Sequence, residues 1–135
     1  MKELSEIVLR DDLRYTKDHE WAVVNGNRVR IGITDYAQDQ LGDIVFVEVP
    51  DVGAKFSQGQ ECGTIESVKA VAELYIPVGG EIVAVNTELE ASPGLVNTAP
   101  YTDGWIAEVV PTDLSEMENL MNKDQYLEML KGMKE

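Results

Sequence analysis

Apolar and polar positions alternate on both sides of a turn between Trp21 and Ile33. Val29, Ile31 and Ile33 fall on every second residue, which puts them on one face of a strand. Trp21–Val24, Asn25-Gly26-Asn27 and Arg28–Ile33 together predict a hairpin, with Asn-Gly supplying the positive φ angles of a tight turn. Thr34 is placed to cap a short helix over Tyr36–Leu41, ended by Gly42, with Ala37 and Leu41 on one face. Ile44–Val49 reads as a strand stopped by Pro50, and Asp51–Gly53 and Gln58–Gln60 read as turns.

Two more β-type runs, Cys62–Ile65 and Val71–Ile76, flank Glu66-Ser67-Val68-Lys69-Ala70. Pro77–Gly80 is a turn, Glu81–Val85 a strand, Ala91–Gly94 a loop, and Trp105–Val110 a last strand closed by Pro111. Many short strands at regular spacing predict a mainly β fold, a sandwich or flattened barrel. Strands and helices do not alternate, so a doubly wound parallel sheet is not expected.

The pattern changes after Leu114. Ser115 with Glu118 three residues later has the form of a capping box. Met117, Leu120 and Met121 share a helical face, Asn122 interrupts, and Asp124–Lys131 presents Tyr126, Leu127 and Leu130. Two short helices, or one kinked helix, are expected to pack on the strands. The chain is thus read as a single domain, residues 1–135, with a β core over about 13–111 and a helical extension over about 114–131.

Composition narrows the function. Twenty-five acidic residues against 11 basic give a net charge of −14, which repels phosphate backbones and suits partners with basic docking faces. Nucleic acid is therefore not an expected partner. Cys62 is the only cysteine and lies in a strand-like run, so it reads as a small core residue without a disulfide. The first 14 residues are charged and lack the apolar run of a secretory signal, and no stretch is apolar enough to span a membrane. These features fit the bacterial cytoplasm; a mature mitochondrial chain would look the same.

Familiar catalytic signatures are missing. There is no G-x-G-x-x-G, no P-loop and no G-x-S-x-G elbow. One histidine and one cysteine cannot build a His/Cys metal cluster, and no carboxylate spacing resembles a calcium loop. His19 sits between Asp18 and Glu20, which would favour its protonated form; a proton donor and a satisfied structural histidine are both open readings. Lys69 remains. Most exposed lysines are solvated charges. Lys69 is distinguished by its place: the only lysine between Lys55 and Lys123, at the junction of two β arms, with Glu66 and Glu73 nearby and the small Ala70 beside it. Chemistry at such a lysine would arrive by covalent attachment.

The segment Glu66–Ala70 resembles the lipoylation site of the glycine cleavage system H-protein family. Tyr15–Trp21 is similar to that family's N-terminal signature, and Gly32–Asp43 with Ile44–Pro50 to its central block. Pro77–Ile82, Asn86, Pro93–Asn97 and Pro100–Trp105 match in order, so the resemblance runs from about Leu13 to Leu130. It implies the barrel-sandwich hybrid of biotinyl/lipoyl carriers with a C-terminal helical extension. It implies a non-catalytic shuttle, with lipoate joined by an amide to Lys69 and with Glu66, Ser67, Val68 and Ala70 completing the attachment motif.

The partners implied are four. A pyridoxal-phosphate glycine decarboxylase loads aminomethyl, a tetrahydrofolate-dependent aminomethyltransferase removes it, and a dihydrolipoyl dehydrogenase reoxidises the dithiol. A lipoate-attaching enzyme modifies the lysine, and the carrier itself is expected to be a monomer. The resemblance also implies Glu20 as the carboxylate that meets the adduct's ammonium in a water-excluding cleft, with Glu73 as a helper. Where the family often has a histidine, this chain has Gln40, which can hydrogen-bond but not titrate. A 2-oxo-acid dehydrogenase lipoyl domain would usually show Asp-Lys-Ala and no helical tail; a biotin carrier would have Met beside the lysine. A protein that mainly relays lipoate to other complexes, and a non-lipoylated interaction module, stay open.

Overall fold

The computed structural model describes residues 2–134. After a 3-10 turn at Leu4–Glu6 come strands β1 (Arg14–Tyr15), β2 (Glu20–Asn25) and β3 (Arg28–Ile33), then helix α1 (Asp35–Leu41). Strands β4 (Ile44–Glu48), β5 (Lys55–Phe56), β6 (Glu61–Ser67), β7 (Val71–Tyr75) and β8 (Gly80–Val85) follow. The chain continues through α2 (Glu88–Ala91), α3 (Leu95–Thr98), β9 (Ala107–Pro111), a 3-10 turn at Leu114–Asn119, and α4 (Lys123–Lys134). All named strand pairs are antiparallel. They form a six-stranded sheet in the order β1-β2-β3-β9-β8-β5 and a three-stranded sheet in the order β4-β6-β7. The fold is mainly β, built of two open sheets, as the alternation predicts.

In the β2–β3 hairpin Asn25 pairs with Arg28, leaving Gly26 and Asn27 as the loop. Only Gly26 takes a positive φ, 67°, which is the type II′ pattern of glycine at the first loop position. The Asn-Gly reading is corrected accordingly: Asn25 ends the strand, and the glycine alone meets the backbone demand. Thr34 caps α1 as expected, accepting from Ala37 N at 3.1 Å, and Gly42 ends it at φ 78°.

One core lies between the sheets, with Val29, Ile31 and Val109 facing Ile65, Leu74 and Val47. A second, formed by Leu13, Tyr15, Trp21, Tyr126 and Leu130, lies where α4 covers β1 and β2. This explains why Trp21 and Ala22 are both fully buried although they point to opposite faces: β2 is covered on both sides. Gly32 makes room for the indole. A Cβ there would stand 2.6 Å from Trp21 Nε1, which donates to Pro100 O at 3.0 Å.

The expected capping box is displaced. Asp113, not Ser115, caps the 3-10 turn, accepting from Ser115 N at 3.0 Å and Ser115 Oγ at 2.6 Å. The reciprocal box forms at α4: Gln125 N donates to Asn122 Oδ1, and Asn122 N donates to Gln125 Oε1, both at 2.9 Å. The residue that breaks the first pattern therefore starts the second helix. Tyr126 then fixes α4 to the sheet. Its ring stacks on Tyr15 at 4.7 Å, and its hydroxyl meets His19 Nδ1 at 2.8 Å and Thr34 Oγ1 at 2.9 Å.

Candidate functional site

Lys69 occupies the turn of the β6–β7 hairpin. Glu66 pairs with Val71, and Ser67 N donates to Ala70 O at 2.8 Å, so Val68 and Lys69 form the loop. Neither has a positive φ, and the turn needs no glycine. Ser67 holds it closed: its buried Oγ accepts from Ala70 N at 3.0 Å and Lys69 N at 3.3 Å and donates to Ala70 O at 3.2 Å. Val68 N donates to Asp43 O at 3.0 Å, tying the turn to the chain just after α1.

Of this motif only Ser67 is buried; Glu66, Val68, Lys69 and Ala70 are exposed. The lysine leans along the end of α1, where a Cβ on Gly42 would meet its Cε at 3.5 Å. Among the described residues no carboxylate pairs with its amine. A rigid backbone with an unpaired amine at its tip is a good acceptor for an acyl group, since no ion pair must be broken first.

At the other end of β7 lies a cavity of about 340 Å³, lined in part by Thr16, Asp18, Glu20, Tyr75, Pro77 and Met121. That volume is in the range of small-molecule sites. Glu20 is 2% exposed. One oxygen accepts from Thr16 Oγ1 at 2.5 Å and the other from Tyr75 N at 3.2 Å. Burial pushes the carboxyl up to about 7, against the downward pull of these two hydrogen bonds. The Tyr75 phenol is raised chiefly by the charge of Glu73, then by burial and the charges of Glu61, Asp18 and Glu20. The cleft and its rim are thus strongly acidic, with no cation but Lys17 in the wall.

The charges of Glu73 and Glu20 both raise the Tyr75 phenol, but the two carboxyls are not brought into one wall: Glu20 lines the cavity, and Glu73 lies outside it, exposed on β7. Gln40 stands apart on α1, half-buried, and shares no hydrogen bond with either; its neighbour Gln38 is the buried one, bonded to Asp35 and Asn97. His19 is corrected from the charged form its neighbours in sequence suggest. Burial lowers its pKa, outweighing the opposing Asp18, and its ring packs against Tyr36 and Tyr126. Its φ of 72° turns the chain so that Glu20 enters β2 facing the cleft. Burial pushes the Cys62 thiol up to about 12, as suits an unreactive core residue.

Sequence reasoning did not single out Thr16 or Tyr75. Thr16 was legible in principle, four residues before Glu20. Tyr75 contributes a backbone N–H, for which no side-chain signal exists. The described residues hold no cluster of metal-ligating groups, and none of their helices is long and apolar enough to cross a membrane.

Comparison with known proteins adds four findings. A family model described as glycine cleavage H-protein matches residues 13–133. The glycine cleavage system H protein of Bacillus pumilus is 56% identical over 120 residues, covering 89% of this chain and 94% of that protein. The H protein of Anoxybacillus flavithermus is 53% identical over 119 residues, covering 88% and 94%. The crystal structure of a glycine cleavage system H protein from Mycobacterium marinum superposes with a TM-score of 0.84 at 40% identity, covering 91% of this chain and 99% of that one.

Proposed function

The chain belongs to the glycine cleavage H-protein family, and from that premise we propose that Lys69 is its attachment lysine, Glu20 its cleft carboxylate, and carriage its whole task. It is a lipoyl carrier of the glycine cleavage system, with lipoate as its covalent cofactor. The observation that carries the residue assignment is the Ser67-stapled turn, which leaves the Lys69 amine exposed and unpaired.

The residues fit the group. Acylation of Lys69 removes the only positive charge on the hairpin and leaves the fold untouched. When bound, the dithiolane supplies a disulfide–dithiol couple that carries a one-carbon amine between enzymes. Tyr75 is six residues from Lys69, so the strand sets the cleft roughly 20 Å from the turn. A lipoylated lysine extends about a dozen bonds, roughly 15 Å. The arm therefore spans most of the distance along β7 to the point where Glu20 accepts from Tyr75 N. Glu20 offers a desolvated carboxylate to an ammonium there, and an ammonium that close favours the charged form of the carboxyl. Glu73, Asp18 and Glu61 add a field that draws a cation toward the cleft, and Pro77 and Met121 give it an apolar stretch of wall.

The chain itself is non-catalytic. Its partners are the pyridoxal-phosphate decarboxylase, the tetrahydrofolate-dependent aminomethyltransferase, the dihydrolipoyl dehydrogenase and the lipoate-attaching enzyme. It acts as a monomer in the cytoplasm, the compartment consistent with its bacterial relatives. The test is glycine–CO2 exchange with the decarboxylase. The lipoylated chain supports exchange and Lys69→Arg does not. No exchange from a fully lipoylated chain would favour lipoate relay instead.

A further inference from the structure

Thr16 sits in a loop that backbone hydrogen bonds hold at both ends. Tyr15 and Met121 exchange such bonds at 2.8 Å, so the chain leaves β1 from a pinned position. It then closes on itself: Thr16 N donates to Glu20 O at 2.9 Å, and His19 N donates to Thr16 O at 3.1 Å. Inside this loop Thr16 Oγ1 accepts from Glu20 N at 3.0 Å and from Asp18 N at 3.3 Å. A hydroxyl has two acceptor sites and one proton. Two backbone donors occupy the acceptor sites, and the proton goes to Glu20 Oε1 at 2.5 Å. Thr16 is thus a donor to the carboxyl, held in that role by the backbone of its own loop.

An ionised carboxylate offers about four lone-pair sites, two on each oxygen. Thr16 takes one on Oε1, and Tyr75 N takes one on Oε2. One on each oxygen is left for a group that enters the cavity Glu20 lines. We propose that Thr16 is a positioning residue for this cleft: its hydroxyl aims the Glu20 carboxyl and holds it in the acceptor form that an ammonium needs. This rests on Glu20 being the cleft carboxylate. A donor favours the ionised carboxyl over the neutral acid, whereas burial favours the neutral acid. Of the effects that oppose burial at Glu20, the Thr16 bond is the largest, ahead of Tyr75 N. Lys17 and Asp18 in the loop, Glu73 on β7 and Glu61 on β6 are the other charges near the cleft. The neutral groups around it lie clear of pH 7. His19 is lowered from its ordinary value, and the Cys62 thiol and the phenols of Tyr15, Tyr75 and Tyr126 are raised from theirs.

The test has one arm on the unloaded chain and one on the loaded chain. Carboxyl-carbon NMR of the unloaded chain follows Glu20 directly, and the native chain should titrate there near 7. Thr16→Val keeps the side-chain shape and loses the hydroxyl. Its Glu20 midpoint should rise by roughly one pH unit, the weight of a hydrogen bond to a charged group. Thr16→Ser should restore the native midpoint. The second readout is ammonia release from the loaded, lipoylated chain over the same pH range. Thr16→Val should lose the amine several-fold faster at pH 7, with the gap narrowing as pH rises. A hydroxyl that only supports the fold would shorten the lifetime equally at every pH and leave the Glu20 midpoint in place, which overturns the proposal. Should Thr16→Val fold poorly, the native chain carries the test alone. Its Thr16 hydroxyl proton should be protected from exchange, and the shift of that proton should follow the Glu20 titration. An unmoved midpoint in Thr16→Val, or a hydroxyl proton indifferent to that titration, would overturn the role of Thr16 while a shortened lifetime in Glu20→Ala kept Glu20 in the cleft. Equal lifetimes in Glu20→Ala and the native chain would overturn the reading of Glu20, and that of Thr16 with it.

Discussion

Glu20 Oε2 accepts the backbone N–H of Tyr75 at 3.2 Å, joining β2 of the six-stranded sheet to β7 of the three-stranded one. The same carboxyl closes one end of the cleft. A group that must hold an ammonium is thus also a clasp between the sheets, and its protonation bears on both roles.

Stability should record this. The folded state holds the Glu20 carboxyl near 7, against an ordinary value of 4.5. Between those values the folded chain keeps a proton that the unfolded chain has released, so this group's contribution falls as pH rises from about 4.5 to about 7. The full loss is roughly 3 kcal/mol. Glu20→Gln can still accept from Tyr75 N and bond Thr16. Thermal melting should therefore show it gaining on the parent as pH rises from 5 to 8. A constant difference across that range would mean that Glu20 does not titrate there.

Retention of the loaded arm should run the other way with pH. An ammonium in the cleft is held by ionised Glu20 and in turn favours that ionised form, so its shelter weakens as pH falls below the unloaded chain's value of about 7. Glu20→Ala should fold, accept lipoate, and lose the loaded amine several-fold faster, with a flatter pH profile. Ammonia release from the loaded carrier measures this. Equal lifetimes would remove Glu20 from the site.

Tyr126→Phe should cost about 1–2 kcal/mol in denaturant unfolding, because Thr34 and His19 lose their common partner while the ring stack on Tyr15 survives. Lys69 acylation should be unchanged. A loss below a few tenths of a kcal/mol would show that α4 is held by packing alone.

Gly32→Ala should be far more damaging than its single methyl suggests. The added Cβ would lie 2.6 Å from the Trp21 indole, in a fully buried site. Overpacking of this kind costs about 1–3 kcal/mol. Trp21 fluorescence and melting would report it, and an unshifted melting curve would contradict the packing described.

The strands were largely legible because alternation and turn residues agree from Trp21 to Val110. β1 and β5 were not, since a pair of residues has no period. The 3-10 turn and α4 were foreseen as helix, but Ser115–Glu118 matched a capping pattern that Asp113 and Asn122 fulfil instead. Local sequence cannot say which of several candidate caps wins. Lys69 was legible from its place between two β arms. Glu20 was legible only through family resemblance, because a charged residue opening a strand reads as surface. His19 misled for a related reason: its acidic neighbours in sequence matter less than the two tyrosines packed on it from α1 and α4.

The account turns on Lys69 as the point of attachment. The native chain and Lys69→Arg, both made in a lipoate-competent host, should be compared by intact mass and peptide mapping. The account predicts one lipoyl increment on the native chain, on the peptide containing Lys69, and none on the variant. An increment on the variant, or on neither chain, would contradict it.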